Sequence, residues 1–294
     1  MLDLEITDAH VEQFREDGFI VFEKFLDMSE VEAVRERYEH LFRAEWETGI
    51  PPDEINWTEG RDDPDVTRQL CNSWKSDYTI ASIALRSEIG RINSQLAGWP
   101  GARIHVSNEI WKPPGAGALV MHQDGSWLDY LVPPNMNSLW MALDDTSAEA
   151  GTVEYVKGSN HWTHAPKPTG SFLADDYRNF MRQAAAAEGL TEDQLEIVPI
   201  EVPAGGIAVH DCWTWHGSSG NGAASQPRRA LVSHCTNSET RFHPTHSTHY
   251  YVRYRKHDTD ELDESFFPIL WREDGYRTPW LDEYMANAGR RSAA

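Results

Sequence analysis

The chain has 294 residues, 40% of them hydrophobic and 12 of them tryptophan, which suffices for a large buried core and excludes a disordered or fibrous protein. Its formal net charge is −21, an acidic balance that argues against nucleic acid and anionic membranes as partners, since both are bound by clustered Lys and Arg. No apolar run of about 18 residues is present to span a bilayer.

The first hundred or so residues read as helical. Thr7 or Asp8 can cap a short helix carrying Val11 and Phe14 and closed by Gly18. Phe19-Ile20-Val21-Phe22 then reads as a strand. Ser29 with Glu32 makes a capping box, after which Val31, Val34, Tyr38, Leu41, Phe42 and Trp46 recur at helical spacing. Residues 48–68 are polar and Pro-rich, a loop, and a third helix is expected over about 79–97. From 101 the character changes to short apolar runs between Gly, Pro and Asn. Strands are expected at 103–111, 118–122, 138–143, 152–156, 197–202, 207–210, 229–234 and 248–252. Many short strands between turn signals predict a mainly β fold, an antiparallel sandwich or jelly roll with N-terminal helices. Residues 162–196 interrupt it with a helix over about 175–189, either a cover for an active site or a helix packed outside the sheet. No composition break marks a second domain. One domain over 1–294 is expected: a helical part to about 100, a β core over about 101–255 and a C-terminal extension from about 256. The N-terminus lacks a basic region and apolar core for secretion, and Cys71, Cys212 and Cys235 form no CxxC pair, so a reduced, cytoplasmic protein is expected.

The chemistry concentrates in Met121-His122-Gln123-Asp124-Gly125-Ser126-Trp127. On an extended strand, positions i and i+2 point to one face, so His122 and Asp124 can offer an imidazole and a carboxylate to one metal ion. Gln123 points the other way. His216, in Trp215-His216-Gly217-Ser218, supplies a third ligand if folding brings it alongside. Two histidines and a carboxylate form the facial triad of non-haem Fe(II) oxygenases, which leaves positions open for substrate and O2. His210 and Asp211 are adjacent, so their side chains diverge and cannot share an ion. His243, His246 and His249 are either a structural zinc tract or a polar loop; Pro244 prevents a helix there. Trp127, Trp213 and Trp215 flank the ligands and are either pocket walls or core.

Further segments accompany the triad in a fixed order: Lys112-Pro113-Pro114-Gly115, Trp140-Met141-Ala142-Leu143-Asp144-Asp145, the tract from Gly151 to His161, His216-Gly217-Ser218-Ser219-Gly220-Asn221 and Pro227-Arg228-Arg229-Ala230-Leu231. In that order, from about residue 8 to about 236, the chain resembles the phytanoyl-CoA dioxygenase family of Fe(II)/2-oxoglutarate oxygenases. The resemblance implies a double-stranded β-helix core of the cupin kind and Fe(II) held by His122, Asp124 and His216. It also implies 2-oxoglutarate held by an arginine on a late strand. A buried distal carboxylate calls for a bidentate guanidinium. Arg228 is the choice, with Arg229 the fallback if the register slips by one residue. Asn108, Trp140 and Ser218 align with family positions that touch the co-substrate. Lys157 stands where many members have proline, and one extra residue separates His216 from Arg228. The implied activity is oxidation, typically hydroxylation, of an unactivated C–H bond of a small molecule by O2. The competing readings are a cupin-like protein that binds metal or ligand without catalysis, and a cupin oxygenase that does not use 2-oxoglutarate.

Overall fold

The opening elements follow directly from their residues. In this computed structural model, which describes residues 4–167, 176–246 and 248–288, Thr7 accepts a hydrogen bond from the His10 amide and caps α1 (Asp8–Asp17). Gly18 ends the helix at a left-handed φ of 82°, and β1 (Phe19–Phe22) follows. Helix α2 (Met28–Leu41) is capped by Asp27 with Glu30 closing the box, in place of Ser29 with Glu32; the Ser29 hydroxyl donates to Asp27. A carboxylate is the better acceptor for amides at the positive end of a helix. Trp46 falls beyond α2 but still packs on its core.

The polar tract contains β2 (Glu54–Ile55) and leads to β3 (Arg68–Cys71). The single helix expected next is two, α3 (Tyr78–Ala84) and α4 (Ser87–Ala97). They part where Arg86 takes an extended conformation, bonding back to the Ser82 carbonyl and across to Glu30 of α2 at 2.6 Å. The break lets the halves turn Ile80, Ile83, Ile89 and Ile92 into one core. Then come β4 (Gly101–Lys112), β5 (Leu119–His122), β6 (Leu131–Val132), β7 (Asn137–Ala142) and β8 (Val153–Val156). After α5 (Asn179–Ala187) follow β9 (Ile197–Pro199), β10 (Ile207–Asp211), β11 (His216–Ser218), β12 (Arg228–Asn237), β13 (Arg241–Phe242), β14 (Ile269–Arg272) and α6 (Leu281–Met285).

Pairing is antiparallel throughout. A large sheet runs β1-β10-β7-β12-β4-β3-β2, with β14 also on β4; a small sheet runs β5-β11-β8-β9, and β6 pairs with β13. Alternation along each strand divides the large sheet's side chains between two cores. Leu139, Met141, Val209 and Leu231 pack on Tyr38, Ile83 and Ile92 of the helices. Trp140, Ala142, Ala208, Ala230 and Val232 face Val153 and Tyr155 of the small sheet. Two facing antiparallel sheets with helices on one side form the double-stranded β-helix expected of this sequence.

Three expectations are corrected. Residues 248–252 are no strand: His249 caps a 3-10 turn over Tyr250–Tyr254, anchored when the Tyr250 and Tyr254 hydroxyls donate to Asp53. Strand β11 lies outside the expected set, because three residues centred on glycine carry no alternation to read. The tract beyond 256 contributes β14 to the large sheet and α6 to the helical layer, where Leu270 and Leu281 are buried in the helix-backed core. Within 162–196, residues 168–175 lie outside the described residues. The part described packs outside the small sheet, with Met181 and Ala185 of α5 against Met121, Val156 and Trp215. Among the described residues no helix is long and apolar enough to cross a membrane.

Candidate metal centre

Strands β5 and β11 are neighbours in the small sheet, and their register places His216 opposite His122. Gly217 permits this closeness: a Cβ there would lie 2.8 Å from the Met121 Cα. Asp124 departs from the expectation in one respect. Strand β5 stops at His122, and Asp124 opens a short 3-10 turn ending at Trp127. Because Gln123 between them stays extended (φ −114°, ψ 122°), the His122 and Asp124 side chains still share a side. Gln123 itself points away, donating to the Trp213 carbonyl at 2.6 Å and accepting from the Ala165 amide at 2.9 Å.

His122 Nε2 and His216 Nε2 lie 3.4 and 3.6 Å from Asp124 Oδ1. All three donor atoms fall within 4.8 Å of one another. Each imidazole turns its Nδ1 to a carbonyl earlier in its own chain segment, Val120 and Thr214, both at 2.9 Å. That contact selects the tautomer with hydrogen on Nδ1 and leaves the Nε2 lone pair for a metal. The other oxygen of Asp124 is held separately. Oδ2 accepts from the Ser138 hydroxyl at 2.8 Å and from His210 Nε2 at 3.3 Å, and His234 Nδ1 stands 3.7 Å away. Tyr155 and His210 Nδ1 are 2.9 Å apart, which fixes that ring in turn. Burial works against the Asp124 charge, but His216, His122, His210 and His234 outweigh it and hold the carboxyl well below its usual range. Burial and the neighbouring His122 and His210 hold His216 neutral, as a metal ligand requires.

Arg228 is buried and begins β12 on the inner face. Its Nε donates to the Gly151 carbonyl at 3.2 Å and Nη2 to the Ser218 hydroxyl at 3.4 Å. Among the described residues no carboxylate lies within ion-pair distance of it, and burial lowers its pKa to about 10. Arg229 is engaged elsewhere. Its amide, Nε and Nη2 all donate to Asp144, at 2.8, 3.0 and 2.7 Å. Val232 is flanked across the sheet by Asn108 on one side and Trp140 on the other, which puts both beside Arg228 on the inner face. The Asn108 Oδ1 is enclosed without a hydrogen-bond partner.

The remaining histidines and tryptophans sort themselves. The triad is the one group of potential metal donors among the described residues, and the tract of His243, His246 and His249 does not bring its imidazoles together as such a group. It is pinned by His249 stacking on Tyr130 at 3.8 Å and by His246 against Asp129 at 3.4 Å. Asp211 accepts from the Trp213 amide and takes no part in the centre. Trp127 meets His122 edge to face at 5.4 Å, Trp213 stacks on His164, and Trp215 belongs to the core outside the small sheet. From the sequence Ser138 has no assigned role, His210 is only excluded from sharing an ion with Asp211, His234 has no assigned role, and Lys112 stands only within its motif. The alternation of β7, β10 and β12 was the available signal for the first three, since it turns them inward with Trp140, Ala208 and Val232.

A double-stranded β-helix presenting two imidazoles and one carboxylate on its inner side has the donor set of the non-haem Fe(II) oxygenases. The phytanoyl-CoA dioxygenase family model matches residues 14–230, and the chain belongs to that family. It is 30% identical over 131 residues to phytanoyl-CoA dioxygenase 1 of Oryza sativa subsp. japonica, a stretch covering 44% of this chain and 43% of the rice protein. Among solved structures it is similar to the alpha-ketoglutarate-dependent carbocyclase SnoK from nogalamycin biosynthesis, with 23% identity, a TM-score of 0.65, and 90% of this chain and 96% of that one covered. The epimerase SnoN, in complex with Fe3+, alpha ketoglutarate and nogalamycin RO, gives 19% identity, a TM-score of 0.66 and coverages of 89% and 97%. EctD of S. alaskensis, with 2-oxoglutarate and 5-hydroxyectoine, gives 20%, 0.63, and 81% and 78%. At these identities the likenesses establish the fold. The residues present fit both an iron and a keto acid: three donor atoms within 4.8 Å of one another, and a buried guanidinium that has no carboxylate partner among the described residues.

Proposed function

We propose that the protein is an Fe(II)- and 2-oxoglutarate-dependent dioxygenase that hydroxylates an unactivated C–H bond of a small organic molecule. The observation that carries this reading is Arg228, buried and without a carboxylate partner among the described residues, on the inner face that also presents the triad. Neither a cupin that merely binds metal nor an oxygenase that dispenses with 2-oxoglutarate needs a buried guanidinium, which is costly to desolvate unpaired.

His122 Nε2, Asp124 Oδ1 and His216 Nε2 would hold the iron. When bound, iron with 2-oxoglutarate and O2 supplies an oxidant able to break a C–H bond, at the expense of decarboxylating the keto acid to succinate and CO2. Arg228 and Ser218 bind the distal carboxylate, while Trp140 and Asn108 line its path. Ser138, His210 and His234 keep Asp124 turned so that a single oxygen faces the ligand histidines. Val232, Trp140 and Tyr155 keep water from the space between the sheets. The substrate is a small molecule, and O2 is consumed with it. The solved relatives are named as a carbocyclase, an epimerase and a protein carrying 5-hydroxyectoine, so one fold hosts several outcomes. We read the chain as one oxygenase domain, because β14 and α6 complete the same sheet and helical layer. Three buried, unpaired cysteines suit a reducing cytoplasm.

The test is succinate formation by anaerobically purified protein given Fe(II), 2-oxoglutarate and O2, with candidate metabolites screened for enhanced turnover. An iron-loaded protein that forms no succinate under any of these conditions rejects the proposal.

A further inference from the structure

Lys112 ends β4 directly opposite Arg228, the first residue of β12. Its side chain is wholly buried, and its Nζ donates to the Ser218 hydroxyl at 2.7 Å and to the Ser219 carbonyl. Arg228 reaches the same hydroxyl at 3.4 Å. Two cations from the large sheet thus converge on one serine of the small sheet, just beyond His216. Glu154 on β8, whose charge is felt at Lys112, brings no relief: it is engaged by Arg178 at 2.8 Å and by the Tyr177 hydroxyl at 3.1 Å. Among the described residues neither Lys112 nor Arg228 has a carboxylate within ion-pair distance. Burial first, and then the charge of Arg228, lower the lysine pKa to about 6, so the ammonium form needs an anion beside it to persist at neutral pH.

A buried ammonium beside a guanidinium is a poor choice for filling volume, since methionine would occupy that space without the desolvation cost. The hydrogen-bond inventory points to a missing acceptor. Ser218 Oγ accepts from both cations, so its own proton has no use for either. Lys112 has three protons and two partners. A carboxylate offers about four acceptor positions, enough for a guanidinium fork, a hydroxyl and an ammonium together.

We propose that Lys112 is a second cationic contact for the distal carboxylate of the keto-acid co-substrate, and that it makes the site select keto acids bearing that carboxylate. The inference rests on the co-substrate reading given above and extends it to a residue outside the triad and its arginine.

The experiment compares 2-oxoglutarate with 2-oxopentanoate, which keeps the metal-chelating end but lacks the distal carboxylate. Binding is measured calorimetrically on Mn(II)-loaded enzyme under argon, so no turnover is needed. Wild type should prefer 2-oxoglutarate strongly. Lys112→Met should weaken 2-oxoglutarate by about tenfold or more and leave 2-oxopentanoate unchanged, so that the preference shrinks by the same factor. Lys112→Gln, which can still donate to Ser218 and Ser219, should lose the same preference and serves if the Met variant does not fold. Equal weakening of both keto acids would make Lys112 a structural prop and overturn the inference, as would variants that retain the full preference. A wild type that binds the two alike would overturn the co-substrate reading, and this inference with it.

Discussion

At His122 and His216 one atom decides the chemistry. The carbonyls of Val120 and Thr214 hold hydrogen on Nδ1, so Nε2 is the nitrogen that the proposed iron would take in both rings. Replacing either ring removes a proposed ligand that nothing nearby can supply, because His210 is committed to Asp124 Oδ2 and His234 Nδ1 to the Ser138 hydroxyl at 2.7 Å. His122→Ala or His216→Ala should therefore lose stoichiometric Fe(II) after anaerobic loading, read by metal analysis. Full occupancy in both variants would move the centre elsewhere. The two arginines separate just as clearly. Arg228→Ala should raise the apparent KM for 2-oxoglutarate tens- to thousands-fold, about 2–5 kcal/mol, while iron content is retained. Arg229→Ala should leave that KM nearly unchanged. It strips Asp144 of its bidentate partner, leaving Arg35 at 3.2 Å, and should cost roughly 1–3 kcal/mol of stability in denaturant titrations. A shift in KM on Arg229→Ala alone would exchange the roles. In the sequence these neighbours differ only by register, and a one-residue slip turns every side chain to the other face. Asp144 resolves the matter by capturing the Arg229 amide and guanidinium together.

Helix α2 and strand β11 show how elements take their places. The α2 cap is a carboxylate, with the nearby serine serving it, so Asp27→Ala should destabilise the protein by about 1 kcal/mol and Ser29→Ala by clearly less. Equal costs in urea titrations would restore the serine as cap. Strand β11 must lie close to β5 to bring His216 to His122, and Gly217 makes the approach possible. Gly217→Ala would set a methyl 2.8 Å from the Met121 Cα and 2.9 Å from the Leu119 carbonyl, both backbone atoms that cannot swing aside. It should cost roughly 1–3 kcal/mol and weaken Fe(II) binding without touching a ligand. Wild-type metal affinity in a folded Gly217→Ala protein would contradict this account. Longer strands announced themselves by alternation. Strand β11 did not, because three residues are too few for a period; only its neighbours on either side define it.

Across the whole molecule the large sheet divides two environments, a helix-backed core and a polar centre between sheets. The outer core contains one costly group. Glu109 is fully buried; burial raises its carboxyl to about 7 against the hydrogen bonds from Ser73 and Ser107 that favour the charge. The folded state thus binds this proton more tightly than the unfolded chain. Its contribution is present at low pH and is lost as pH rises from the ordinary 4.5 through about 7. That loss amounts to roughly 3 kcal/mol, at about 1.4 kcal/mol per pH unit. Glu109→Gln should flatten this part of the pH–stability curve, seen by comparing urea midpoints at about pH 5 and about pH 8 with wild type. Identical slopes would show that Glu109 ionises normally in the fold.

The sequence by itself determined what depends on local spacing: the strand alternation of a jelly roll, His122 and Asp124 on one side of an extended stretch, and His216 within a recognisable His-Gly-Ser. Ordered motifs carried the family resemblance, from which the proposal of iron and keto acid at those residues comes. Tertiary structure alone decided what depends on register between strands far apart in the chain. Lys112 meets Ser218 because β4, β12 and β11 converge there. Ser138, His210 and His234 meet one oxygen of Asp124 because β7, β10 and β12 turn the same face inward. The helix of the 162–196 tract proved to cover the outside of the small sheet because Met181 and Ala185 find Met121 and Trp215 there. Such contacts leave no trace in spacing, since cross-strand register is set by how the entire apolar pattern packs.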